Sequence, residues 1–187
     1  MQAILLVEDS VRFYSTYLPE LYKLVLKQSS EFLKETLNEQ QRKFRKRSRP
    51  KILLATNLDD ALNMYSKYKH NLLGVISDVG FTVHKDDSPE MEKLDAGIEL
   101  VRHIKADNEK MPILLQSSQD SISSVAQELG VGFLRKYSKT LMLQLADFIK
   151  EEFGFGDFVF RDADHVEYGR AANLKELEAM VREVPDE

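Results

Sequence analysis

The side chains able to do chemistry gather where short apolar runs stop. Glu8 and Asp9 follow the run 3–7, Asp78 follows 72–77, Ser117 and Ser118 follow 112–116, and Lys136 lies just past 132–134. In an open α/β sheet, functional groups collect at the carboxyl ends of strands, beside the point where the strand order reverses. With the order 2-1-3-4-5 that point falls between the first and third strands, so Glu8, Asp9 and Asp78 are expected to share one crevice. Three clustered carboxylates repel one another, and at least one resists ionisation unless a counter-charge is near. A hard divalent cation supplies that charge. Mg2+ suits a site with few carboxylates, several waters and room for a phosphate oxygen, and it neutralises the charge that develops in in-line phosphoryl transfer. Asp78 could then act as a nucleophile and form an acyl phosphate. Lys136 would pair with the new phosphate as a point charge, and the Ser117 hydroxyl would donate to one of its oxygens.

The elements that must position these groups are legible as a pattern. Five apolar runs, at 3–7, 51–55, 72–77, 112–116 and 132–134, are mostly continuous rather than alternating, as in a parallel sheet buried on both faces. Helical spacing fills the gaps between them. Asn57 offers a cap ahead of Leu58, Leu62 and Tyr65; Ile98, Val101 and Ile104 make a second stripe; Ile122, Val125, Ala126 and Leu129 a third; Leu141, Leu145, Phe148 and Ile149 a fourth. Strand and helix alternate five times, which predicts a doubly wound, flavodoxin-like α/β domain over residues 1–150.

Two insertions, at about 27–49 and 82–95, interrupt that domain. The first lengthens the first helix: Tyr14, Tyr17, Leu18, Leu21 and Val25 keep helical spacing, Phe32, Leu33 and Leu37 continue it, and Pro19 should kink this helix or set its start. It then turns basic through Arg42, Lys43, Arg45, Lys46, Arg47 and Arg49, either a solvated helix end or a docking patch. The second insertion has no period and reads as a loop. Residues 151–187 form a small appendage or the start of a following domain: strand-like alternation from Phe153 to Phe160, a turn at 162–165, a returning strand at 166–170, and a helix capped by Asn173 with Leu174, Leu177, Val181 and Val184 on one stripe. A hairpin and one helix cannot bury a core alone, so this piece is expected to dock on the domain or on a part of a longer protein.

The 187 residues, 43% hydrophobic and 30% charged, have the balance of a soluble globular protein. No run approaches the roughly 20 apolar residues of a membrane span, and Glu8 and Asp9 arrive too early for a signal peptide, so a cytoplasmic location and no membrane partner are expected. The absence of cysteine excludes disulfides, thiolate zinc sites and cysteine nucleophiles. A net charge of −5 argues against nucleic acid as a partner of the whole protein, and no helix-turn-helix unit fits after Lys150.

Together these residues resemble the signature set of response-regulator receiver domains. The segment Ile4-Leu5-Leu6-Val7-Glu8-Asp9-Ser10 is similar to the family's first strand with its acidic pair, and Ile76-Ser77-Asp78 to its phosphoacceptor strand. Residues 96–104 resemble the start of its third helix, Ser117-Ser118 its hydroxyl residue followed by a small one, and Phe133 with Lys136 its switch aromatic and lysine. The likeness spans Gln2 to about Lys150. It implies that Glu8, Asp9 and Asp78, with the Gly80 carbonyl, hold Mg2+, directly or through water. It implies also that phosphorylation of Asp78 draws Ser117 toward the phosphate and lets Phe133 turn inward, a two-state switch biased by a local charge. The implied donor is a histidine kinase or a phosphotransfer protein. Two positions depart from the family: no proline follows Asp78 closely, and Tyr137 stands after Lys136 where a proline is usual. The tail is similar to the segment that joins an N-terminal receiver to a phosphoenolpyruvate synthase-like, PEP/pyruvate-binding domain, which would make a downstream domain of the same polypeptide a partner. Pairing into a homodimer stays open.

Each residue also has a plainer reading. Asp78 and Ser117 could cap helices, Lys136 could be a surface lysine, and Phe133 could be core. His70, His84, His103 and His165 lack metal-ligand spacing and read as surface or loop residues, and Gly154 and Gly156 lack the rest of a dinucleotide loop. The alternative function is a pseudo-receiver, an interaction or regulatory module that does not use phosphate. A small Asp-dependent phosphatase ranks last, because the haloacid-dehalogenase pattern needs an Asp where Gly80 stands.

Overall fold

A computed structural model describes residues 2–34, 50–153, 158–161, 167–171 and Ala179. Five parallel strands, β1 (Ala3–Val7), β2 (Lys51–Ala55), β3 (Leu72–Asp78), β4 (Ile113–Ser117) and β5 (Gly132–Arg135), form one sheet in the order β2-β1-β3-β4-β5. The helices are α1 (Val11–Lys34), α2 (Leu58–Tyr68), α3 (Ala96–Asp107), α4 (Ile122–Glu128) and α5 (Leu141–Glu151). This is the expected flavodoxin-like topology, with β3 and β5 each one residue longer than the apolar runs and β4 shifted one residue onward.

Every residue of β1 is buried, which is why its apolar run is continuous. Leu5 and Val7 face a cluster with Leu58, Tyr65, Leu100 and Ile104 of α2 and α3. Ile4 and Leu6 face the opposite cluster, with Tyr17, Leu21 and Val25 of α1 and Leu145 and Ile149 of α5. Burying a side chain of this size stabilises by roughly 1.5–3 kcal/mol. Asn57 caps α2 as expected, its side chain accepting from the Asp60 N–H at 2.8 Å.

One of the two roles expected of Pro19 is corrected. Pro19 does not set the start of α1: the helix begins at Val11 and runs through the proline, because Tyr17, Leu21 and Val25 around it are buried on the sheet and outweigh the missing donor, worth about 3 kcal/mol. The 82–95 insertion is a loop with two short ordered features. Phe81 and Lys93 form an antiparallel bridge, their amides and carbonyls exchanging bonds of 3.3 and 3.0 Å, and a short 3-10 turn spans Pro89–Met91. The other end of the insertion is tied to the first turn of α2, where Leu58 and Asp59 donate to the Thr82 and Val83 carbonyls at 3.0 and 3.1 Å.

The tail contributes an antiparallel hairpin of β6 (Phe158–Arg161) and β7 (Glu167–Ala171). Phe153, just ahead of it, is buried against Phe148 and against Gly74 of β3, where a Cβ would collide with the Phe153 ring. The side chains of Phe32 and Leu33, Leu37 with the basic residues 42–49, Gly154, Gly156, the turn at 162–165, and the helix from Asn173 with its stripe lie outside the described residues.

Candidate functional site

The carboxyl ends of β1 and β3 meet as neighbours, Val7 opposite Ser77 in the parallel register, so Glu8, Asp9 and Asp78 emerge side by side. Each offers an oxygen, and the three oxygens lie within 4.8 Å of one another. Lys136 follows β5 and reaches across: its Nζ donates to Glu8 Oε2 at 2.6 Å and to Asp78 Oδ2. Glu8 is 1% exposed and Lys136 8%, so these contacts are buried rather than on the surface.

Local bonds fix each member. Glu8 donates its N–H to the Ala55 carbonyl at 3.0 Å, while its Oε1 accepts from the Ser10 N–H at 3.1 Å. Asp78 Oδ1 accepts from the Val79 N–H at 2.7 Å. The Lys136 N–H donates to the Ser117 carbonyl at 2.9 Å, and the ammonium sits 4.3 Å from the centre of the Phe13 ring, a cation–π contact. Phe13 in turn stacks on Tyr17 and meets the edge of Tyr137. Tyr137 takes a left-handed backbone with φ 63° and leaves its ring exposed.

The electrostatics follow from this crowding. Burial first, and then the Asp78 charge, push the Glu8 carboxyl up to about 7 against the pull of Lys136. Burial and Asp78 likewise raise Asp9, partly offset by a bond from the Thr82 backbone. Burial opposes the charge on Lys136, but Asp78 and Glu8 outweigh it and hold the amine above its usual range. One ammonium facing three carboxylates leaves the pocket net negative.

Ser117, 7% exposed, ends β4, and its hydroxyl accepts from the Gln119 N–H at 3.1 Å. Gly80 lies two residues past Asp78. Close behind it Gly97 donates its N–H to the Val79 carbonyl at 2.8 Å, and a Cβ there would strike the Asp78 carbonyl oxygen. Phe133 is half-buried against the cluster under α2 and α3. The sequence reading thus placed Glu8, Asp9, Asp78 and Lys136 in one pocket. It missed Phe13, the Tyr17 hydroxyl that accepts from buried Gln116 Nε2, and Glu92, a carboxylate that the insertion delivers beside Gly80. Gln116 had a signal, a polar residue inside an apolar strand; Glu92 had none.

The donor set fits a hard divalent cation: oxygens only, close together, with more acidic groups than the single ammonium can balance. No protein-family model matches the sequence, and no curated protein does. Solved structures do. A response regulator receiver domain protein from Clostridium thermocellum superposes with a TM-score of 0.53 over 82% of this chain and 95% of its own, at 17% identity. A receiver protein from Sinorhizobium medicae gives 0.54 over 82% and 94%, at 14% identity. The chain has the receiver fold. A third receiver-fold neighbour, the receiver domain of a Pseudomonas aeruginosa sensor histidine kinase, reaches 0.53 over 82% of this chain and 98% of its own at 17% identity, and was solved with a magnesium ion coordinated in its active site cleft. Among the described residues, no helix is long and apolar enough to cross a membrane.

Proposed function

We propose that this chain is a phosphoacceptor receiver domain in which Asp78 takes a phosphoryl group in a pocket that also holds Mg2+. The observation that carries the reading is Lys136 bridging Glu8 and Asp78 in a pocket where three carboxylate oxygens approach within 4.8 Å. Glu8, Asp9, Asp78 and the Gly80 carbonyl would hold the cation, and when bound it supplies charge neutralisation of the transferring phosphoryl group. The remaining work falls to the chain. The Val79 N–H fixes the Asp78 carboxylate, one oxygen of which attacks phosphorus; the bond from phosphorus to the donor nitrogen or oxygen breaks, and its electron pair leaves with the donor. Lys136 moves from a carboxylate partner to the phosphate, keeping its charge paired throughout. Ser117 exchanges its Gln119 contact for a phosphate oxygen, and Phe133, half-buried now, turns inward. The partners of this reading are a histidine kinase or phosphotransfer protein and a downstream domain of the same polypeptide, with a cytoplasmic location for this chain, the core being residues 1–150.

Incubation with acetyl phosphate and Mg2+ followed by intact-mass measurement tests this. A single phosphate adduct on the wild type and none on Asp78→Asn is expected. No adduct on either would overturn the reading in favour of a pseudo-receiver that works by protein interaction alone.

A further inference from the structure

The 82–95 insertion closes on itself at the Phe81–Lys93 bridge, and that bridge fixes what its last residues can reach. Lys93 is held on both sides, by the two backbone bonds to Phe81 and by an ion pair with Glu99 in the first turn of α3. Glu92, one residue earlier, is thereby aimed back across the carboxyl end of β3. Its carboxylate occupies the space beside Gly80: a Cβ on Gly80 would run into Glu92 Oε1, and Glu92 Cδ would lie 3.3 Å from it. Glu92 thus fills the place over the pocket rim that a side chain at position 80 would otherwise take. The charges it senses there are Asp9 and Asp78, with Lys136 beyond them. It makes the pocket's acidic groups four against one ammonium.

We propose that Glu92 is a positioning residue of the cation pocket, a fourth carboxylate that the insertion adds at its rim to strengthen divalent-cation binding. This rests on the reading of the pocket as a cation site. Glycine at 80 is then required for room: it leaves the rim open for a carboxylate arriving from another part of the chain. An exposed carboxylate outside the donor set acts through its charge, so its effect is moderate and screened by salt.

Titration calorimetry of Mg2+ into the full chain at low ionic strength tests this without reference to phosphorylation. Glu92→Gln is expected to weaken binding about three- to tenfold, and the loss should shrink as salt is added. Glu90→Gln removes the same charge from the same insertion and should leave affinity unchanged. Gly80→Ala should weaken binding by displacing the Glu92 carboxylate, and should have no further effect once residue 92 is glutamine. Equal affinity in wild type and Glu92→Gln overturns the proposal while leaving the cation pocket intact, and so does an equal loss in Glu90→Gln, which would mean diffuse surface charge. A wild type that binds no Mg2+ overturns the cation reading itself.

Discussion

Raising the pH from about 5 to about 8 without a divalent cation is expected to weaken this fold, and Glu8 sets the size of the effect. Its carboxyl titrates near 7 in the folded chain against 4.5 as the ordinary value, because burial and Asp78 disfavour its charge. Across that window the folded state holds a proton that the unfolded chain has already released. Unfolding therefore becomes easier with each step up in pH, until both states are ionised. A shift of this extent corresponds to about 3 kcal/mol, a large share of the 5–15 kcal/mol typical of a domain. Asp9 and Glu92, also raised, act in the same direction, as does His84, whose partner Asp59 favours the charged ring and whose contribution fades as pH climbs past its folded value. Asp107 is lowered by Lys69 and Tyr65, so its contribution is lost only in acid, below this window. Urea unfolding followed by circular dichroism, in chelator, at four pH values across the range measures the slope. Glu8→Gln should flatten most of the fall, and saturating Mg2+ should stabilise the wild type more at high pH than at low, since it binds the ionised pocket. A wild-type stability that is level or rises between pH 5 and 7.5, or a fall that survives unchanged in Glu8→Gln, would refute the electrostatic argument.

Three further outcomes follow from the packing. Gly97→Ala forces a Cβ onto the Asp78 carbonyl oxygen and within 2.9 Å of Val79 Cα; backbone cannot yield cheaply, so a loss of about 1–3 kcal/mol in chemical unfolding is expected. Tyr17→Phe strands the buried Gln116 amide and should cost about 1–3 kcal/mol; adding Gln116→Leu should recover part of that, and a strictly additive double variant would contradict the contact. Gly74→Ala should destabilise by collision with the Phe153 ring, and Phe153→Leu in the same chain should cost less than the two changes apart, read as the coupling in a double-mutant cycle.

The strands and the residues at their ends are written in the order of amino acids. Continuous apolar runs mark strands covered on both faces, and a parallel α/β sheet brings the carboxyl ends of its central strands together whatever the loops do. That is why Glu8, Asp9, Asp78 and Lys136 could be grouped from spacing alone, although 128 positions separate Glu8 from Lys136. Which groups from outside that pattern join them emerges only on folding. Phe13, in the first turn of α1, meets the Lys136 ammonium across more than 120 positions; Tyr17 meets Gln116 across 99 positions; and Glu92 arrives beside Gly80 because a backbone bridge closes an insertion that has no period of its own. Periodicity reports how a segment is buried, and it carries no record of which distant segment does the burying. Pro19 shows the same limit: its local cost is visible in the sequence, while the sheet contacts of Tyr17, Leu21 and Val25 that outweigh it exist only once the chain has folded.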